Sequence, residues 1–222
     1  DYVYVHETEK DNFVEACKNQ VNKFYSDLKY NPDYTSVINE KHYDRLNGLL
    51  SDAEYHGAEL VEINPANEDF SQQESHKIPP TLVLNPTDEM QIMKEEIFGP
   101  LLPIKTYKDI NEPINYINKN DKPLGLYYFG NNKNEEAKVI NSTTSGGVTV
   151  NDIMGHIQQN ELGFGGVGPS GMGKYDGFDG FTNFSNNKPI YKQIGFGLDK
   201  LLDAIRPPYK SSIEDVLKKL LK

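Results

Sequence analysis

Glu95-Glu96-Ile97-Phe98-Gly99-Pro100 sets two carboxylates and an aromatic ring immediately before a forced turn. A carboxylate accepts two hydrogen bonds at once, which matches the vicinal diol of a ribose. A ring two residues on can wall a planar heterocycle. Gly99-Pro100 then drives the chain out of any helix. Further along, Phe164-Gly165-Gly166-Val167-Gly168-Pro169-Ser170-Gly171-Met172-Gly173 is so rich in glycine that backbone must pass close to something there. Neither segment has a nucleophile, a base or a metal cluster beside it. On chemistry alone, two acids and a Phe before a turn are common, and a structural reading stays open.

The glycine-rich segment produces two motif matches that its context rejects. Gly163 to Gly168 fits G-x-G-x-x-G, but Gln158-Gln159-Asn160-Glu161 precedes it where a buried strand is needed, and Pro169-Ser170-Gly171 follows where a helix should begin. Gly168 to Lys174 approaches a phosphate loop, yet Tyr175 stands where a short hydroxyl would ligate magnesium. His6, His42, His56, His76 and His156 do not pair at metal-ligand spacing, so no metal site is legible. Cys17 falls on the apolar face of a predicted helix, where a buried thiol is the ordinary outcome. No Ser occupies a G-x-S-x-G elbow. His156 follows Asn151-Asp152 on a loop after a strand, a place where function concentrates, although a satisfied structural histidine is equally open.

Composition limits the partners. The net charge is −10 over 222 residues with no basic stripe, which argues against a nucleic-acid footprint. Of 23 basic residues only Arg45 and Arg206 are arginines. A single cysteine excludes an internal disulfide, and no apolar run reaches membrane-spanning length. No membrane partner is expected. The chain starts at Asp1 and enters directly into the strand-like Tyr2-Val3-Tyr4-Val5, so it reads as the middle of something longer.

Apolar spacing supplies the elements that must position these residues. Strands are predicted at Tyr2–His6, Ala58–Ile63, Pro80–Leu84, Leu101–Tyr107, Gly125–Phe129 and Gly147–Val150. Helices are predicted from Phe13 to Leu28 with Asp11 as N-cap, from Tyr43 to Ala53 ending near Gly57, from Ile110 to Ile117, and from Glu135 to Ile140. Asn64 to Ile78 has the composition of a surface excursion. Phe181 to Gln193 alternates apolar and polar residues like a strand, and Ser211 to Lys222 forms an amphipathic helix after Pro207-Pro208. Strands alternating with helices give an α/β fold with a mainly parallel sheet and flanking helices.

Four ordered segments resemble the aldehyde dehydrogenase superfamily, in its class 3-like branch. Glu95 to Pro100 resembles E-E-x-F-G-P. Gly146 to Asp152 resembles G-G-V-x-x-N-D. Phe164 to Gly173 resembles F-G-G-V-G-x-S-G-x-G, and Gly180 to Ser185 resembles G-F-x-x-F-S. Ile205-Arg206-Pro207-Pro208-Tyr209 is similar to the tail of bacterial coniferyl aldehyde dehydrogenases. The resemblance implies oxidation of a small-molecule aldehyde, including an aromatic one such as coniferyl aldehyde, to the acid with NAD or NADP. It implies a cysteine nucleophile and a glutamate-activated water. Glu96 then matches the glutamate on the nicotinamide ribose, and Phe98 the ring packing near the nicotinamide. Phe164 matches the lining of the aldehyde channel, with His156 nearby, and Asn151 matches an asparagine supporting the site. Gly163 stands where that family usually has Pro, which loosens the loop entry, and Asp176 where His is common.

The nucleophilic cysteine, the general-base glutamate and the oxyanion asparagine of that family have no match here. The segment resembling Asp1-Tyr2-Val3 follows the family's cysteine by only a few residues, and Cys17 comes too late to replace it. The expectation is therefore a C-terminal portion of a cytoplasmic, homodimeric enzyme, inactive by itself. Residues 1–178 would belong to the catalytic domain, 179–193 would form an oligomerisation strand, and 194–222 would be a C-terminal extension. The rival reading is a natural non-catalytic subunit or interaction module that pairs through the strand near 181–193, since an unpaired edge invites pairing.

Overall fold

Thr81, Leu82, Val83 and Leu84 are buried on both sides of the chain, the mark of a strand in the middle of a layered structure. A computed structural model describes residues 1–192, 207–209 and 213–220. This central strand, β3 (Thr81–Leu84), lies between β4 (Leu101–Tyr107) and β2 (Glu59–Glu62), and β1 (Val3–His6) closes the far side of β4. β1 and β3 run parallel to β4, with Val3 opposite Ile104 and Thr81 opposite Leu101, while β2 is antiparallel to β3. A second, two-stranded parallel sheet pairs β5 (Gly125–Tyr128) with β6 (Gly147–Val150). Parallel pairs predominate, and the α/β expectation holds.

The period-2 alternation of side chains divides the core. Val83 and Leu101 face α2 (Glu40–Tyr55), packing with its Leu46, Leu49 and Ala53 and with Met90, Ile92 and Ile97. Leu82, Leu84 and Ile104 face the other way, with Val14 and partly buried Phe13, Cys17 and Val21 of α1 (Lys10–Phe24). Helix, sheet and helix thus form three layers. Beside them, Ile114 of α3 (Asn111–Lys119) and Val139 of α4 (Lys133–Ser142) cover Leu126 and Tyr128 of the second sheet.

Local chemistry explains the boundaries and two departures from expectation. Asn39 caps α2 by accepting the His42 N–H at 3.0 Å, and Gly57 ends its last turn at φ 88°. Asp11 is not an N-cap: a 3-10 turn at Glu7–Glu9 runs into α1, so Asp11 lies inside the first turn. The expected strand over 181–193 is not formed in the described residues either. Gly177–Asn183 is a helix, α5, and residues 184–192 carry no regular structure, with Gln193 outside the described residues. The terminal helix is seen as α6 (Ile213–Leu220), whereas 194–206 lie outside the described residues.

The polar excursion from Asn64 to Ile78 is docked rather than loose. The Glu68 carboxylate accepts the Leu28 N–H at 2.6 Å and the Lys29 N–H at 3.0 Å. Lys77 is buried, and its ammonium donates to the carbonyls of Leu28 and Asn31 at 3.0 and 2.7 Å. A buried cation without such acceptors would be costly.

Candidate functional site

The Glu-Glu-Ile-Phe-Gly-Pro segment leads from a 3-10 turn at Gln91–Met93 into β4. Ile97 is 1% exposed and joins the core beneath α2, whereas Phe98 is 80% exposed. Glu96 is exposed as well. One buried residue between two outward ones is what a loop needs to present a carboxylate and a ring together. Phe98 does so at φ 47°, a left-handed backbone that non-glycine residues rarely adopt. The residue the sequence reading passed over here is Arg45. It donates to the carbonyls of Glu96, at 3.1 Å, and Ile97, and lies 3.5 Å from the Glu95 carboxylate. The signal available was its identity, an arginine in a chain that otherwise chooses lysine.

A second group assembles at the end of β6. Asn151 has φ 56° and donates its own N–H to the Tyr128 carbonyl at 2.8 Å. Its side-chain amide pairs with Gly130 in both directions, accepting the N–H at 2.8 Å and donating to the carbonyl at 3.0 Å. The residue thereby ties the ends of β5 and β6 together. His156 is 8% exposed. Thr149 Oγ1 accepts the His156 N–H at 3.1 Å and lies 2.7 Å from its Nδ1, while the buried Nε2 has no hydrogen-bond partner. The imidazole fits because Gly147 has no Cβ: one added there would come within 2.7 Å of Nε2.

Aromatic rings continue outward from that imidazole. Tyr127 and Phe164 lie 6.1 and 6.3 Å from His156, and Tyr175 packs edge-on to Phe164 at 5.4 Å. Phe164 is half-buried, so His156 sits behind it rather than on an open surface. The glycine-rich segment turns back on itself: Phe164 and Tyr175 exchange backbone hydrogen bonds at 2.7 and 2.9 Å. A Cβ on Gly165 would overlap the Gly173 carbonyl, so the close approach expected of this loop is to its own returning backbone. Ser170 folds into the tip, accepting the Val167 N–H at 2.9 Å. At the loop entry, the room left by Gly163 is filled by the Asp179 side chain.

The two groups are presented separately. Among the described residues no hydrogen bond, ion pair or ring contact joins Glu96 or Phe98 to His156 or Phe164. Burial pushes the Cys17 thiol up, away from the thiolate form a nucleophile needs. Among the described residues no cluster of three His, Cys, Asp or Glu could hold a metal, and no helix is long and apolar enough to cross a membrane.

The sequence matches the aldehyde dehydrogenase family over residues 1–190. It is 48% identical over 217 residues, 98% of this chain, to a Caulobacter vibrioides protein named "Probable coniferyl aldehyde dehydrogenase", covering 44% of that protein. A coniferyl aldehyde dehydrogenase of Pseudomonas sp. is 46% identical over 100% of this chain and 46% of its own length. Among solved structures, a substrate-bound Staphylococcus aureus AldH superposes with a TM-score of 0.75 at 36% identity, over 100% of this chain and 46% of that one. The chain spans about half the length of the curated relatives it matches. A match running from the first residue through the glycine-rich loop and α5 places this polypeptide in the aldehyde dehydrogenase family.

Proposed function

We propose that this chain supplies one face of the cofactor site and one wall of the aldehyde channel of an NAD- or NADP-dependent aldehyde dehydrogenase. The observation that carries the reading is the loop at 95–100, where a buried Ile97 sends Glu96 and Phe98 out to solvent side by side. An exposed carboxylate suits the two hydroxyls of a ribose, and an exposed ring suits the flat face of a nicotinamide. When bound, the dinucleotide would accept the hydride that leaves the aldehyde carbon. Glu96 would hold its ribose and Phe98 would limit the swing of its ring. Phe164, backed by His156 and Tyr175, would wall the aldehyde channel, and Asn151 would keep that wall in place by fixing the strand ends.

The substrate class in this reading is an aromatic aldehyde such as coniferyl aldehyde. It rests on the relatives' names and on a channel wall built from aromatic rings. The parent enzyme would act in the cytoplasm as a homodimer, with the exposed rings of Phe178, Phe181 and Phe184 as contact surface.

A chimera tests the proposal. Residues 1–222, placed in the Pseudomonas relative in place of its matching segment, should support NADH formation from coniferyl aldehyde, with Glu96→Gln raising KM for NAD and Phe164→Ala raising KM for the aldehyde. The 222-residue chain alone should form no NADH. Turnover by the chain alone, or a chimera indifferent to both substitutions, would refute the assignment.

A further inference from the structure

Helix α2 grips the segment that precedes β4 at two points. Asp52 accepts the Gln91 N–H at 2.7 Å. Arg45 donates through Nη1 to the Glu96 carbonyl at 3.1 Å and through Nη2 to the Ile97 carbonyl. These two side chains lie about two helical turns apart, so they project from the same face and reach both ends of residues 91–97.

The loop has other anchors. Asp1 shares with Arg45 the peptide plane between Glu96 and Ile97, whereas among the described residues Arg45 alone holds the plane that follows Ile97. Ile97 buries its side chain beside Leu46, and its N–H donates to Asp1 Oδ2 at 3.2 Å. The Pro100 carbonyl accepts the Thr81 N–H at 2.9 Å, which fixes the exit. Between them Phe98 holds φ 47°, a backbone that persists in a bulky residue only where the surroundings over-determine it. The two carbonyls under Arg45 belong to the peptide planes on either side of Ile97. Fixing both planes fixes how Glu96 leaves the chain before Ile97 and how Phe98 leaves it after.

A planar guanidinium holds two carbonyls with two separate nitrogens in a fixed fork, whereas an ammonium, as at Lys77, must converge its acceptors on one nitrogen. The chain uses lysine at all but two of its 23 basic positions, yet arginine stands here. The Glu95 carboxylate, 3.5 Å away and 45% exposed, adds little to the grip.

We infer that Arg45 is a positioning residue: its fork presets the outward pose of Glu96 and Phe98, so that the cofactor face exists before any dinucleotide arrives. The inference rests on the cofactor assignment above, but the pose can be measured without cofactor. Hydrogen–deuterium exchange on the 222-residue chain should show the Ile97 amide, which donates to Asp1, exchanging on the order of tenfold faster in Arg45→Lys and Arg45→Ala, because the peptide plane it shares with the Glu96 carbonyl is released. Amides 81–84, in the central strand, should keep wild-type rates, and dilute guanidinium should restore loop protection in Arg45→Ala alone. Unchanged loop exchange in Arg45→Ala overturns the inference. Wild-type protection in Arg45→Lys overturns the role of the fork. Loosening shared equally with 81–84 overturns positioning in favour of a folding defect. The cofactor assignment is judged separately by Glu96→Gln in the chimera: an unchanged KM for NAD there sinks the assignment, while the exchange result still decides the role of Arg45.

Discussion

Asn151 sets one local cost against two long-range hydrogen bonds. Its backbone is left-handed, at φ 56°, which Asn tolerates better than most residues, and its amide makes two hydrogen bonds to Gly130. Alanine would lose both bonds, at about 1 kcal/mol each, and would add roughly 1 kcal/mol of backbone strain. Glycine would lose the bonds without the strain. Urea denaturation should therefore rank wild type above Asn151→Gly and Asn151→Gly above Asn151→Ala, with the last about 2–3 kcal/mol below wild type. Equal stability of the two variants would show that the left-handed backbone costs nothing here. Asn151 was singled out in the sequence by the resemblance of Gly146 to Asp152 to G-G-V-x-x-N-D, not by its spacing. Arg45 was not, because its partners lie some fifty residues away and no local spacing announces them.

At the scale of elements, α2 gives the clearest account of why some features could be read in advance. Leu46, Leu49 and Ala53 recur at helical spacing and all three are buried, so periodicity alone identified the helix and its inward face. Strands β1 and β4 were legible instead as short runs rich in β-branched and aromatic residues. The segment from Phe181 is helical as far as Asn183, because Phe178, Phe181 and Phe184 satisfy a spacing of three as well as the apparent alternation, and among the described residues no strand pairs with 184–192. Leu46 also packs beneath Gly99, where an added Cβ would come within 2.6 Å of its Cδ1. Leu46→Ala should thus cost about 2–5 kcal/mol, measured by thermal or urea unfolding. A cost under about 1 kcal/mol would mean that the layer between α2 and the sheet collapses freely around the gap.

The β1–β4 edge carries a charge-dependent tie. The Asp88 carboxylate accepts from Lys105 at 2.5 Å and from Tyr116 at 2.8 Å, and Tyr116 stacks edge-on with Tyr2 and Tyr4. The Lys105 hydrogen bond, aided by Tyr116, holds the Asp88 carboxyl below the usual carboxylate range. A carboxyl whose folded value is depressed stabilises the fold above its unfolded value, and that contribution is lost as pH falls through the folded one. Because Asp88 is 62% exposed, the benefit is modest, about 0.5 kcal/mol. Asp88→Asn should lower the unfolding midpoint at neutral pH, and the difference should close as pH drops below about 4. A difference that persists unchanged in acid would assign the effect to packing instead.

For the molecule as a whole, the decisive feature is how much apolar surface the described residues leave uncovered. Phe178, Phe181 and Phe184 are 78%, 69% and 92% exposed, and Met172 and Tyr191 are 94% and 84% exposed. All lie beyond β6, in the part of the chain that carries the proposed channel wall, whereas the three layers around β3 close over a buried core and leave Phe24, Ile38 and Tyr55 exposed outside it. An exposed patch of that kind marks a surface made to be covered. The relatives are about twice as long as this chain, which supplies one class of cover, and a second copy supplies another. In isolation the chain should bind a hydrophobic dye and sediment as a species heavier than 25.2 kDa, increasingly so as concentration rises. Replacing Phe178, Phe181 and Phe184 together with Ser should return it to a monomer and quench most of the dye signal. The unfolding midpoint should stay nearly constant, since surface substitutions away from packed features change stability by about 0.5 kcal/mol or less. A wild-type chain that is monomeric at all concentrations and silent to the dye would show that these rings are not a contact surface.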